Sequence, residues 1–220
     1  MLMLKQLKFS STSIYPVNSK PHGYSYGEWS SRWWQWLLSI PKQSSPAFDT
    51  SGKNANINQK YPDVFFLCQT YEGVKSIPNR SLCLPKNKSI FMPIINWISI
   101  IHHDGETEKE LLDKATQSMN IIGEMMISMN GVTLKNGLHK FRVLSPFFDI
   151  ELPEDNIVGL SPGKRLAVSD GYWVFLRPLT AGGHLNSFGS CSSGATKIGA
   201  HYEITLAESS TKHRLRIKPW

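Results

Sequence analysis

The stretch Tyr26-Gly27-Glu28-Trp29-Ser30-Ser31-Arg32-Trp33-Trp34-Gln35-Trp36-Leu37-Leu38-Ser39-Ile40-Pro41 places four of the seven tryptophans of this chain within eight positions. A tryptophan ring is large and apolar, and its N–H requires a hydrogen-bond partner when it is buried. Ser25 followed by Glu28 has the pattern of a capping box, and Pro41 cannot continue a helix. The sequence therefore predicts a helix from Tyr26 to Ser39 that anchors a core, lines a ligand site, or does both.

Helical spacing divides the apolar residues of this segment into two groups. At about 100° per residue, one stripe contains five of them: Trp29, Trp33, Trp36, Leu37 and Ile40. Trp34 and Leu38 lie outside the stripe, four residues apart, and widen the apolar arc to about half of the circumference. Because a surface helix needs only a narrower stripe, we expect either the rest of the domain or a partner to cover Trp34 and Leu38.

Composition and charge bound the class of protein. The chain has 220 residues, a net charge of +7, and three cysteines without the C-x-x-C spacing of a metal site. Cys68 and Cys83 could form a disulfide in an oxidising compartment, whereas three reduced thiols fit a cytoplasmic protein. No signal peptide or membrane-spanning run is recognisable, so the cytoplasm is the default prediction, with secretion or the cell surface as the alternative. The basic segment 212–218 belongs to no nucleic-acid-binding motif, and the sequence does not favour such a partner.

The rest of the chain is dominated by strand patterns. Short apolar runs separated by turn residues predict strands at 64–68, 81–84, 89–95, 97–101, 132–134, 140–144, 147–152, 166–168, 172–176, 184–188, 201–206 and 214–217. A second capping box at Thr107 and Glu110 begins an inserted helix over about 107–129, before the stop signal Asn130-Gly131. The fold class predicted is α+β, a predominantly antiparallel β-sandwich of jelly-roll or Ig-like type. Residues 1–24 form an irregular arm, and residues 25–220 a single domain.

Three groups of residues are candidates for chemistry. His102 and Asp104 point to the same side of an extended segment and could share a metal ion, but no fixed-spacing metal motif accompanies them, and a polar loop is the favoured interpretation. Cys191 could in principle act as a nucleophile with His184 or His201 as its base, but the sequence favours a Ser/Gly hairpin loop that contains an incidental thiol. Neither a P-loop nor a dinucleotide fingerprint occurs in the chain.

The second aromatic concentration is the segment 169–176, where both faces of the predicted strand are apolar. Asp170-Gly171 predicts a turn before that strand. A ligand surface built with the tryptophan helix would use six residues: Trp33, Trp34, Arg32, Gln35, Asp170 and Tyr172. The aromatic rings would stack on or pack against the ligand, and the other side chains would supply polar contacts. Core packing is the competing interpretation of the same residues.

Several blocks of the sequence resemble a protein family. The segment 26–41, then 64–67, 90–96, 169–176 and 201–206, is similar in order and content to an uncharacterised bacterial and archaeal family. The resemblance carries the pattern YGEWSxRWWQWxLSIP in the N-terminal helix and SDGYWVFL in a strand. It implies a shared fold over residues 24–206 and no particular activity.

Three hypotheses for function follow. The first is a non-enzymatic module that binds a small apolar molecule, a carbohydrate or a protein partner through the tryptophan-rich helix, without a cofactor. The second is a hydrolase, metal-dependent in one form, with a site near His102 and Asp104. The third is a structural protein in which the tryptophans only stabilise the core, since each fully buried large aromatic contributes roughly 1.5–3 kcal/mol.

Overall fold

The computed structural model describes residues 13–71, 76–191 and 197–207. Two α-helices lie within these ranges: α1 over Tyr26–Leu38 and α2 over Glu108–Asn120. The strands are β1 Val64–Phe66, β2 Asn79–Pro85, β3 Ser89–Ile100, β4 Ile122–Met129, β5 Val132–Leu134, β6 Arg142–Leu144, β7 Phe148–Leu152, β8 Gly163–Leu176, β9 Gly183–Cys191 and β10 Lys197–Ala207. The basic segment 212–218, with its strand predicted at 214–217, lies outside the described residues.

The strands form two five-stranded sheets. In the first sheet the order is β1-β3-β8-β6, with β7 also paired to β8; in the second it is β2-β10-β9-β4-β5. The predicted α+β class is confirmed, but both sheets are mixed rather than antiparallel throughout. Strand β1 runs parallel to β3, and β2 runs parallel to β10. Parallel neighbours require a crossover connection. For β1 and β3 this connection passes through β2, which belongs to the other sheet.

Helix α1 begins as the sequence predicts. Ser25 Oγ accepts from the backbone N–H of Glu28, and Glu28 Oε2 accepts from the backbone N–H of Ser25 at 2.8 Å. The apolar stripe lies on an aromatic face of the first sheet, where Phe91 and Trp173 stack with centroids 5.1 Å apart. Trp34 and Leu38 are also buried, so the protein itself covers the two residues outside the stripe.

Helix α2 begins at the predicted capping box, but the prediction of its end is wrong. The helix stops at Asn120, and residues Ile122–Met129 form β4, which pairs with β9 and β5. The apolar residues of this segment fit a helical repeat and a strand equally well. Gly123 weakens the helical alternative by about 1 kcal/mol relative to alanine, and the edge of β9 offers pairing to a strand.

The predicted turn at Asp170-Gly171 is also wrong, since both residues lie inside the long strand β8. Gly171 sits directly opposite Asn96 on β3. A Cβ atom at this position would lie 2.6 Å from the Cβ of Asn96, so the glycine permits the close approach of the two strands. The tight packing of β8 against β3 therefore requires the glycine that the sequence pattern assigned to a turn.

The predicted strands at 89–95 and 97–101 are one strand, β3, with a register shift between Pro93 and Ile95. Most buried apolar side chains belong to one continuous core cluster, and a smaller cluster of Leu111, Ala115 and Val168 joins α2 to β8. Cys68 is buried and Cys83 is exposed, and the two thiols are not joined by a disulfide. No helix among the described residues is long and apolar enough to cross a membrane.

Candidate functional site

A cavity of about 590 Å³ lies between α1, the second half of β3, the end of α2 and the second sheet. This volume falls within the range of about 300–1,000 Å³ that is typical of small-molecule sites. Most of the side chains that line it are apolar, and Trp33, Trp34 and Leu37 come from the tryptophan-rich helix. The cavity therefore touches the segment that the sequence singled out.

Two of the four clustered tryptophans face this cavity, and both have hydrogen-bonded indole groups. Trp33 Nε1 donates to the Leu67 carbonyl at 2.8 Å, and Trp34 Nε1 donates to the Ser169 hydroxyl at 2.9 Å. Their rings meet edge to face with centroids 5.0 Å apart. Trp34 is only 4% exposed, so its indole is a fixed part of the cavity wall and not an open stacking platform.

The other two tryptophans of the cluster serve the core. Trp29 Nε1 donates to the Pro21 carbonyl at 2.9 Å, and Trp36 Nε1 donates to the Ile57 carbonyl at 2.8 Å. Both indoles are buried, and neither residue lines the cavity. The cluster is therefore divided between a structural half and a half that borders the cavity.

Polar groups without partners lie in the cavity wall. Gln69 Oε1, Thr70 Oγ1 and Asn96 Nδ2 are buried, and none of these atoms has a hydrogen-bond partner within the described ranges. All three residues line the cavity. An unpartnered buried polar atom costs about 1–3 kcal/mol in stability. A wall that served only to pack the core would not be expected to contain three such atoms.

The opening of the cavity combines exposed apolar and polar side chains. Trp97 is 39% exposed and Ile121 is 58% exposed, and both border the cavity. Beside them, His103 Nδ1 lies 3.0 Å from Asp104 Oδ2. The same carboxylate oxygen accepts from the backbone N–H of Ile100 at 2.9 Å. Asp104 thus fixes the loop after β3 in place.

Four of the six predicted ligand residues lie away from the cavity lining. Arg32 stacks over the Tyr24 ring, with its guanidinium carbon 3.6 Å from the ring centroid, and Gln35 donates to the Asp149 carbonyl at 2.9 Å. Asp170 is 3% exposed, whereas a rim group would be open to solvent. Tyr172 is buried next to His139.

Asp170 instead forms an ion pair that joins α2 to the first sheet. Arg142 Nη2 lies 2.7 Å from Asp170 Oδ2, and Arg142 Nε donates to the same carboxylate. The hydrogen bond to Asp170 raises the pKa of Arg142 above its ordinary value. Arg142 Nη2 also donates to the Thr116 carbonyl at 2.9 Å, in the last turns of α2. The pair therefore holds the helix whose end borders the cavity.

The candidate chemical residues are dispersed. His102 Nδ1 lies 2.7 Å from Glu106 Oε2, so His102 and Asp104 have different partners. Across the described part of the chain, no three His, Cys, Asp or Glu residues are grouped closely enough to hold a metal ion. Cys191 borders the cavity, whereas His184 and His201 line a separate polar depression of about 410 Å³ on β2, β9 and β10. Cys191 and His184 lie seven positions apart on β9, roughly 23 Å in an extended strand.

Sequence reasoning missed Asn96, Trp97, Gln69 and Thr70 as residues of the cavity wall. A signal for Asn96 was present, because it is the only amide within the apolar run 90–98. Comparison with known proteins found no matching family model, no similar curated protein and no similar solved structure. The family resemblance of the sequence blocks therefore stays a prediction.

Proposed function

We propose that this chain is a non-enzymatic binding module, a β-sandwich that holds a small, largely apolar ligand in the cavity beside the tryptophan-rich helix. The observation that carries the proposal is the combination of a volume of about 590 Å³ with unpartnered polar atoms in an apolar wall. Ligand sites have this composition, because apolar surface supplies affinity and a few polar groups fix orientation. Trp33 and Trp34 contribute two indole surfaces to the wall.

The hydrolase hypothesis has less support. Asp104 already accepts from the Ile100 backbone and lies beside His103, and His102 pairs with Glu106. A catalytic pair needs a base within hydrogen-bond reach of a nucleophile, whereas Cys191 borders the cavity and His184 and His201 line a separate depression. The contacts of His102, His103 and Asp104 instead resemble those of a structured loop.

The test is ligand binding measured with a neutral apolar dye, N-phenyl-1-naphthylamine. A neutral dye is chosen because the net charge of +7 would attract an anionic dye to the surface. Ser118 lies on α2 and lines the cavity, while its neighbour Gln117 is exposed and does not. Ser118→Trp should fill part of the cavity, and Gln117→Trp is the matched control with the same added ring.

We expect saturable binding of one dye molecule per chain, with dye fluorescence enhanced on binding. Ser118→Trp should weaken binding by about tenfold, which corresponds to 1.4 kcal/mol. The Gln117→Trp variant should keep the affinity of the unmodified protein. Absence of saturable binding, or equal losses in the two variants, would contradict the proposal.

A further inference from the structure

The edge of β3 beside the cavity lacks a neighbouring strand. Strand β1 pairs with β3 only from Val64 to Phe66, opposite Ser89 to Phe91. The chain then crosses to the second sheet, where the Thr70 N–H donates to the Gly199 carbonyl at 3.3 Å. From Pro93 onward β3 is therefore paired with β8 on one side, and no strand of the described ranges covers its other side.

The register with β8 identifies the backbone groups that face this free edge. The Ile101 N–H donates to the Leu166 carbonyl at 2.9 Å, which fixes the positions that bond to β8. Hydrogen-bonded positions alternate with non-hydrogen-bonded ones along an antiparallel pair. Counting back from Ile101, the N–H and C=O groups of Ile100, Ile98 and Asn96 point away from β8.

The protein itself satisfies both ends of this edge. The Ile100 N–H donates to Asp104 Oδ2, and the Ile100 carbonyl accepts from the N–H groups of His103 and Asp104 at 3.2 and 2.9 Å. At the other end Pro93 has no N–H to leave unpaired, and its carbonyl accepts from Ser187 Oγ at 3.4 Å. Between these ends, Asn96 and Ile98 line the cavity, and no backbone hydrogen bond to either appears among the described contacts on that side.

The surroundings of the edge admit a single chain and not a second sheet. Trp34 borders the cavity from α1, and Met119 borders it from α2. Because helices on both sides of β3 enclose the edge, a second copy of this protein could not bring its own β3 edge into contact with it. A narrow extended segment could, and Gln69 and Asn96 have unpartnered amide atoms in the same wall.

We propose that the ligand of this cavity is an extended peptide segment that adds as a strand to β3, hydrogen-bonding to Asn96 and Ile98. The inference rests on the proposed function, because the peptide occupies the same cavity. Strand addition uses backbone hydrogen bonds for affinity and pockets for alternate side chains for specificity. Three extended residues cover about 10 Å, enough to bond both residues of the edge.

The experiment measures displacement of N-phenyl-1-naphthylamine by acetylated and amidated tetrapeptides built from every combination of Val, Leu, Phe and Thr. The tightest binder is then resynthesised with one backbone amide N-methylated at a time. Methylation removes a donor without changing a side chain. Methylation of an amide that faces β3 should weaken peptide binding about tenfold, the value of one hydrogen bond near the top of the usual range. Methylation of the alternate amides should change the affinity little.

A variant of the protein tests a hydrogen bond between peptide and β3 by removing the donor on β3 instead of one on the peptide. Ile98→Pro removes an edge N–H that β8 does not use, and Ile98→Val keeps that donor as the control. Ile98→Pro should weaken peptide binding about tenfold relative to Ile98→Val, with both affinities measured directly by isothermal titration calorimetry. If Ile98→Pro does not fold by far-UV circular dichroism, the methylation series on the unmodified protein decides alone.

The outcomes separate this inference from the proposed function. Dye binding without displacement by any tetrapeptide overturns strand addition and leaves the binding module in place. Methylation losses that lack the two-residue alternation also overturn it. Failure of the dye itself to bind would overturn the proposed function.

Discussion

Replacing Trp34 with phenylalanine removes the indole N–H that donates to the Ser169 hydroxyl at 2.9 Å. Ser169 is fully buried, so its oxygen loses that donor without gaining water. Leaving a buried polar group unpaired costs about 1–3 kcal/mol, and we expect Trp34→Phe to lower the free energy of unfolding by about 2 kcal/mol. Ser169→Ala should have a similar effect, because it leaves the indole N–H unpaired instead.

The two effects should not add. In the double variant neither partner is left unpaired, so its loss should be smaller than the sum of the single losses by about 1 kcal/mol. Urea denaturation followed by far-UV circular dichroism measures all four proteins. Trp97→Phe is the control, since Trp97 is exposed at the opening of the cavity, and it should change stability by less than about 0.5 kcal/mol.

A coupling energy indistinguishable from zero would refute the reasoning, because it would mean that the Trp34–Ser169 hydrogen bond does not contribute to the free energy of unfolding. A large loss in Trp97→Phe would refute it in another way. It would place the stabilising tryptophan at the opening of the cavity and not beneath it.

Three further predictions concern the elements that position the cavity. Ser25→Ala should cost about 1 kcal/mol in unfolding free energy by removing the N-cap of α1, as measured by urea denaturation. Asp170→Ala should lower the free energy of unfolding by about 3 kcal/mol, which is the low end for a broken buried ion pair, because Arg142 is partly exposed. The same variant should weaken dye binding, since it releases the end of α2. At Asp49, burial acts to raise the carboxyl pKa, but donors from Asn54 and Ser51 outweigh it and hold that pKa below its ordinary value. The ionised Asp49 therefore stabilises the fold fully above the unfolded-state pKa of about 3.9, and this stabilisation is lost as the pH falls through the folded-state pKa. The free energy of unfolding of Asp49→Asn, measured by urea denaturation, should accordingly fall less with decreasing pH.

Local patterns predicted the parts of the fold that depend on neighbours in the chain. Ser25 with Glu28 and Thr107 with Glu110 mark helix starts, because a capping box is satisfied within one helical turn. The methionine-rich segment after Asn120 was assigned wrongly, since apolar residues at 122, 126 and 129 satisfy a helical repeat as well as a strand. Pairing with β9, distant in the sequence, decided between them.

Candidate site residues were harder to predict than the helices. Trp33 and Trp34 line the cavity, and their role in a ligand site stays a prediction. The sequence predicts polar ligand contacts from Arg32 and Gln35, but the helix turns these side chains toward Tyr24 and Asp149. Arg80 illustrates the same limit, because a strand arginine is normally exposed. Here it is 2% exposed and donates to the Asp49 and Cys68 carbonyls.

The sequence by itself determined where the tryptophan-rich helix begins, which stripe it buries, and that Trp34 falls outside that stripe. These properties follow from hydrogen bonds and periodicity within a few residues. The tertiary structure alone decided that Trp34 would meet Ser169, 135 residues away, and that β1 would leave β3 unpaired beside a cavity. Such features depend on which distant strands pair and where the pairing stops, because register is set by long-range contacts that no local pattern encodes.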